Sequence, residues 1–207
     1  MAEVLYLRRL TPDPWQRKGS SATVPLQHRV NSPCPLFHAS VDAFAYDASA
    51  VSIKPLLQEL WQRRDCTLSP SFGVPFSELP LPEDLEEYFR LCGGAELFQG
   101  SPHPLRLGGP MELVPADPLI HGRVIQSITA RWYVIGRRSD EAFMTIDLDP
   151  ARLGRIYDSS WDHHGIEGNC PIIARSFTGL LETIVSRQSG LPWWRDPSWP
   201  SLGDAFD

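Results

Sequence analysis

Proline decides where this chain can be helical. Twenty of its 207 residues are proline. Inside a helix each one removes a backbone N–H and clashes with the preceding turn, at about 3 kcal/mol. Prolines at 12, 14, 25, 33 and 35 exclude a long helix from the first fifty residues, where short apolar runs such as Val4-Leu5-Tyr6-Leu7 read as edge strands. Elsewhere proline opens or closes helices. Pro55 fits a first helical position, and Leu56, Leu57, Leu60 and Trp61 share one face of a helix over residues 55–64. Pro82 opens a second helix. Glu83, Asp84, Glu86 and Glu87 crowd its positive N-terminal end, Leu85, Tyr88, Phe89 and Cys92 form its apolar stripe, and Gly93-Gly94 stops it. The third helix has an N-cap at Ser176 and a stripe of Phe177, Leu180, Leu181, Ile184 and Val185, with Gly190 and Pro192 ending it.

The segments between the second and third helices alternate with turn residues and read as strands: 95–98, 105–107, 111–114, 132–135, 143–148 and 155–157. Residues 116–127 are ambiguous and can hold a helical turn. The tail "LPWWRDPSWPSLGDAFD" carries too much proline for a helix. Its three tryptophans are costly to leave in water, so it should fold back on the body.

A hydrophobic content of 42% is enough for a buried core, and the net charge of −6 gives no sign of the basic face that nucleic acid requires. That charge suits a basic protein partner, or solubility alone. The N-terminus MAEVLYLRRL lacks the apolar region of a signal peptide, and no apolar run reaches membrane-spanning length. Cys34, Cys66, Cys92 and Cys170 show no metal or redox spacing. The expected setting is a reducing cytoplasm, with a secreted disulfide protein as the alternative.

Residues 145–165, "TIDLDPARLGRIYDSSWDHHG", raise the question of an active site. Alternation along a strand points Met144, Ile146 and Leu148 one way and Thr145, Asp147 and Asp149 the other. The apolar set belongs in the core. The two aspartates then share a solvent face, about 6.6 Å apart. After a turn over residues 150–154, Ile156 returns to the core side, with Arg155 and Tyr157 facing out beside the aspartates. The metal-binding reading of Asp-x-Asp lacks a nearby glycine-rich phosphate loop. His163 and His164 are adjacent, whereas metal pairs prefer two-residue spacing on a strand or four on a helix, so a solvated loop is expected for both. No G-x-S-x-G, H-E-x-x-H or G-x-x-x-x-G-K-[ST] is present. We therefore expect no catalytic residue, no metal and no cofactor.

The order of these parts resembles the SUKH superfamily of Smi/Knr-type bacterial proteins. "LPEDLEEYFRLCGGAELF" (81–98) resembles its opening helix, small-residue stop and strand. "WYVIGRRSDEAFMTIDLDPARLGRIYD" (132–158) resembles its central hairpins, "IIARSFTGLLETIV" (172–185) its closing strand and helix, and "PWWRDPSWPSLGDAFD" the tail of many bacterial members. The resemblance covers residues 55–207 and leaves 1–54 as an N-terminal extension expected to pack on the core. It implies an α+β fold, with a bent, mainly antiparallel sheet flanked by N- and C-terminal helices. It also implies a non-catalytic immunity protein that binds a cognate toxin, a nuclease or other polymorphic toxin, with no direct nucleic-acid contact and no membrane contact of its own. The acidic balance adds that the toxin is basic. Asp147, Asp149, Asp158, Trp161 and Asp162 are the expected partner-binding residues. An intracellular adaptor is the alternative, and a small hydrolase or transferase the third reading.

Overall fold

Apolar residues at helical spacing become helices where proline permits. The computed structural model describes residues 52–125, 127–138, 142–187 and 192–207. The expected edge strands of the first fifty residues and the packing of the extension lie outside these. The helices are α1 Lys54–Gln62, α2 Glu83–Leu91, α3 Ala116–His121 and α4 Phe177–Ser186. The ambiguous stretch thus supplies α3. Ser176 caps α4 as its sequence implies, its hydroxyl accepting from the Gly179 N–H at 3.1 Å. Asp84 reaches beyond its own helix. Its carboxylate accepts from the backbone N–H (2.7 Å) and hydroxyl (3.0 Å) of Thr178, joining the start of α2 to the start of α4.

The strands are β1 Thr67–Leu68, β2 Ala95–Leu97, β3 Leu105–Leu107, β4 Val114–Pro115, β5 Trp132–Arg138, β6 Phe143–Asp147, β7 Ile156–Ser159 and β8 Ile172–Ala174. They form one eight-stranded sheet in the order β1-β2-β3-β5-β6-β7-β8, with β4 also on β5, and every pairing is antiparallel. This is the expected α+β class. One strand differs. Residues 110–112 form a 3-10 turn, because the Glu112 carboxylate turns back to accept from the Gly109 N–H at 2.8 Å, so only Val114–Pro115 pairs.

One face of the sheet is covered by helices. Leu57 and Leu60 of α1, Leu85, Tyr88 and Phe89 of α2, and Phe177, Leu180 and Ile184 of α4 are buried with Leu97, Leu107, Ile135, Met144, Ile146, Ile156 and Ile173 in a single core. The shared core expected of α2, α4 and Ile146 is therefore present. Tyr88 and Phe177 bring their ring centroids to 4.8 Å across the α2–α4 contact.

β5 carries a bulge. Val134 pairs with Thr145 and Gly136 with Met144, leaving Ile135 as the extra residue. Gly136 is required there: a Cβ would collide with the Met144 terminal methyl and lie 2.7 Å from the Arg106 carbonyl oxygen. Beyond the bulge, Arg138 stands opposite Leu105, a core residue. The tail folds back as expected. Trp193 is buried, and Trp194 and Trp199 pack partly buried against the core. Its last residues line the β8 edge, where the Ile172 N–H donates to the Gly203 carbonyl and the Ala205 N–H to the Cys170 carbonyl, both at 3.0 Å. An edge so covered is closed to other strands.

Candidate partner-binding surface

Along β5, β6 and β7 the second face of the sheet is not solvated. Trp132, Thr145, Asp147, Tyr157 and Ser159 alternate with the core residues along β5, β6 and β7, and all five are buried. Trp132 stacks on Tyr157 with centroids 4.1 Å apart and planes 16° from parallel. Asp147 is the polar centre of this layer. Its carboxylate accepts from the Trp132 indole N–H (3.0 Å), Arg152 Nε (2.8 Å), the Tyr157 hydroxyl (3.4 Å) and the Asp149 N–H (2.8 Å). Four donors satisfy a buried carboxylate that would otherwise be costly to desolvate. Burial, with the Asp147 charge beside it, pushes the Tyr157 hydroxyl well above its ordinary value.

A second polar line fastens the covering layer. Thr145 Oγ1 lies 2.8 Å from Ser159 Oγ, Ser159 Oγ 3.1 Å from His164 Nδ1, and His164 Nε2 3.0 Å from Asp117 Oδ1. The other Asp117 oxygen accepts from the Ile125 N–H at 2.9 Å. The line ties β6, β7, the loop after β7 and α3 together. Burial lowers the His164 pKa below its ordinary value, against the opposing pull of Asp117. Ser, His and Asp in one line have the composition of a nucleophilic triad. Here all three are buried, and the serine hydroxyl already bonds to Thr145, so no substrate carbonyl reaches it in this arrangement. What the geometry does is hold a loop and a short helix on the sheet. Among the described residues no three His, Cys, Asp or Glu are placed to hold a metal ion.

Several sequence expectations are corrected here. Asp147 does not face solvent but is wholly buried, because Trp132, Tyr157 and Arg152 close around its carboxylate. Tyr157, expected to point out, is buried in the same layer, and Arg152 takes the place expected of Arg155 beside the aspartates. Asp158 is buried too. It follows Ile156 by two residues, standing opposite Met144 on the helix-covered face. There it accepts from Arg138 (3.0 Å), the Trp194 indole (2.9 Å) and Arg195 (3.0 Å), which pins the tail. His164 is buried rather than solvated.

The other expected residues do reach the surface. Asp149 is half-buried, near Arg131 and Arg152 at 3.8 Å each. Trp161 is 75% exposed. Asp162 is exposed and accepts from the Ser160 hydroxyl, which with its own backbone holds its pKa below the ordinary carboxylate range. Trp161 and Asp162 sit on the loop that His164 anchors from below, with Ile166 and Glu167 exposed further along it.

An antiparallel α+β sheet with helices from both ends of the domain and a tryptophan-rich tail folded onto it is the architecture of the SUKH-type immunity proteins, and this chain belongs to that family. The membership is shown by sequence: the chain is 34% identical over 160 residues to Immunity protein YokJ of Bacillus subtilis (strain 168), a match spanning 76% of this chain and 97% of that relative. No family model matches the chain, and no solved structure gives a significant match.

Proposed function

We propose that this protein is a cytoplasmic immunity protein that neutralises a basic toxin, a nuclease or another polymorphic toxin, by binding it without chemistry of its own. The observation that carries this reading is the match to Immunity protein YokJ over nearly the whole of that relative. Among the described residues no helix is long and apolar enough to cross a membrane, which agrees with a cytoplasmic role. Because the match covers 97% of the relative but only 76% of this chain, residues 1–54 are read as an addition to a family domain at 55–207.

Trp161 and Asp162 make up the proposed contact surface, with Asp149 on the β6–β7 turn a separate acidic point of contact. An exposed tryptophan next to an exposed aspartate suits a basic partner with an apolar pocket, and the net charge of −6 favours its approach. Asp147 and Asp158 support the fold from within instead. Co-expression with the product of the adjacent gene tests the function. Rescue of growth from a toxic product is expected, with binding that weakens as salt rises. A toxic product that is not neutralised refutes the reading for that pair. Trp161→Ala is expected to weaken binding while changing stability by less than about 0.5 kcal/mol.

A further inference from the structure

Phe72 and Phe76 stand 81% and 93% exposed on the segment between β1 and α2, and Met111 is 84% exposed on the turn before β4. Two glycines join these places. A Cβ at Gly93 would collide with the Pro70 carbonyl and meet the Phe72 ring at 3.3 Å. A Cβ at Gly109, two residues before Met111, would collide with the Gly93 carbonyl. Backbone thus packs on backbone, and this floor without side chains lies between Phe72 and Met111. Val74 adds to the exposed apolar area.

The segment is held at both ends. The Ser69 N–H donates to the Gly94 carbonyl (2.8 Å), the Gly93 N–H to the Ser69 carbonyl (2.9 Å), and the Ser71 hydroxyl to the Phe89 carbonyl. Beyond it, Leu79 and Leu81 pack on the core. Two phenylalanines and a methionine held in water offer a few hundred Å² of apolar surface, which marks an interaction site more often than chance. Anchoring both ends of the segment also lowers the entropy lost on binding.

Charge selects the occupant. Residues 66–82 contain no Lys or Arg, and Glu78 is exposed among them. Arg106 lies between Glu96 (3.3 Å) and Glu112, one cation between two carboxylates, so the rim on that side is negative too. A second copy would bring the same negative rim and be repelled. A partner with cations around an apolar cleft is matched on both counts. We infer that Phe72, Phe76 and Met111 form a second contact surface, which inserts into an apolar cleft of the positively charged toxin. This rests on the toxin-binding reading above.

Calorimetric titration of the intact chain with a catalytically inactivated form of the adjacent-gene toxin separates the outcomes. Failure of the wild type to bind overturns the reading and this inference with it. If the wild type binds, Phe72→Ala/Phe76→Ala is expected to weaken binding by at least about tenfold. A smaller loss overturns the inference alone. In stopped-flow mixing of the same pair, Glu78→Lys is expected to slow association several-fold, and an unchanged rate overturns the charge match. All these variants keep the wild-type unfolding midpoint, because the altered side chains already lie in water. Sedimentation of the free protein is the last arm: a dimer that Phe76→Ala converts to monomer would make a second copy the occupant and overturn the assignment.

Discussion

Ile146 and Asp147 are neighbours in β6, and both are wholly buried. Ile146 faces the helices, where its neighbours are Ile, Leu and Phe side chains. Asp147 faces the other way and touches an indole, a guanidinium, a phenol and a backbone N–H. Ile146 needs only apolar volume, and many side chains of similar size would supply it. Asp147 needs four donors in fixed directions, and losing any one leaves a buried group short of a partner. One face of the sheet therefore supplies stability that tolerates repacking. The other supplies a single geometry, and on it rides the loop carrying Trp161.

The largest effect is expected where a charge enters the tolerant face. Asp158→Ala would remove the buried carboxylate that Arg138, the Trp194 indole and Arg195 all donate to. A loss of about 3–5 kcal/mol is expected in urea unfolding. A loss below 1 kcal/mol, on the order of an exposed pair, would show that the tail does not depend on Asp158. Leu180→Ala should cost about 2–5 kcal/mol and Leu180→Met less than about 1.5, because the helix-covered face responds to volume. Asp147→Asn keeps the volume but turns an acceptor into a donor facing a donor. It should cost about 1.5–3 kcal/mol, more than Leu180→Met, and the reverse order would erase the distinction between the faces.

The smallest effect is a pH dependence confined to the polar face. The His164 pKa is lowered by burial, with the charges of His121 and His163 adding to the effect, so the unfolded chain takes up a proton there before the folded one does. The stability that neutral His164 contributes is fully present above 6.5. It declines as pH falls from 6.5 toward the lower folded value, then levels off. Thermal unfolding should show this component in the wild type and lose it in His164→Gln. A profile identical in both would place the titration elsewhere.

Alternation makes two sides of β6 and β7 legible in the sequence: Met144, Ile146 and Ile156 share the core side, and Thr145, Asp147 and Tyr157 share the other, whereas Asp158, expected among the outward residues, falls on the core side two residues after Ile156. It could not show that the second side is roofed. α3 is six residues long and the loop after β7 has no periodicity, so neither leaves a hydrophobic pattern that announces a layer. In the sequence Asp147 therefore reads as solvent-facing, the usual state of a polar strand face in an antiparallel sheet. The three long helices, the α2–α4 core and the return of the tail were legible because each depends on a local pattern. The Asp117–His164–Ser159 line was not: Asp117 lies 47 residues from His164, and only the fold brings them together. His163 and His164 gave a faint signal as a pair, but it pointed to metal or solvent rather than to a buried tether. Phe72 and Phe76 gave none, because an isolated apolar residue in a proline-rich segment reads equally well as buried.

The bulge in β5 also has a bearing on insertions and deletions. By advancing the strand one step, it turns Arg138, not Arg137, toward Asp158. Had the same residues paired regularly after Val134, Ile135 would stand opposite Met144, and Arg137, two residues on, would take the side of Asp158. Deletion of Ile135 instead leaves Gly136 opposite Met144, and Arg138 keeps the carboxylate. The spare residue is thus a point where the strand can shorten by one without changing which guanidinium meets the buried acid of β7.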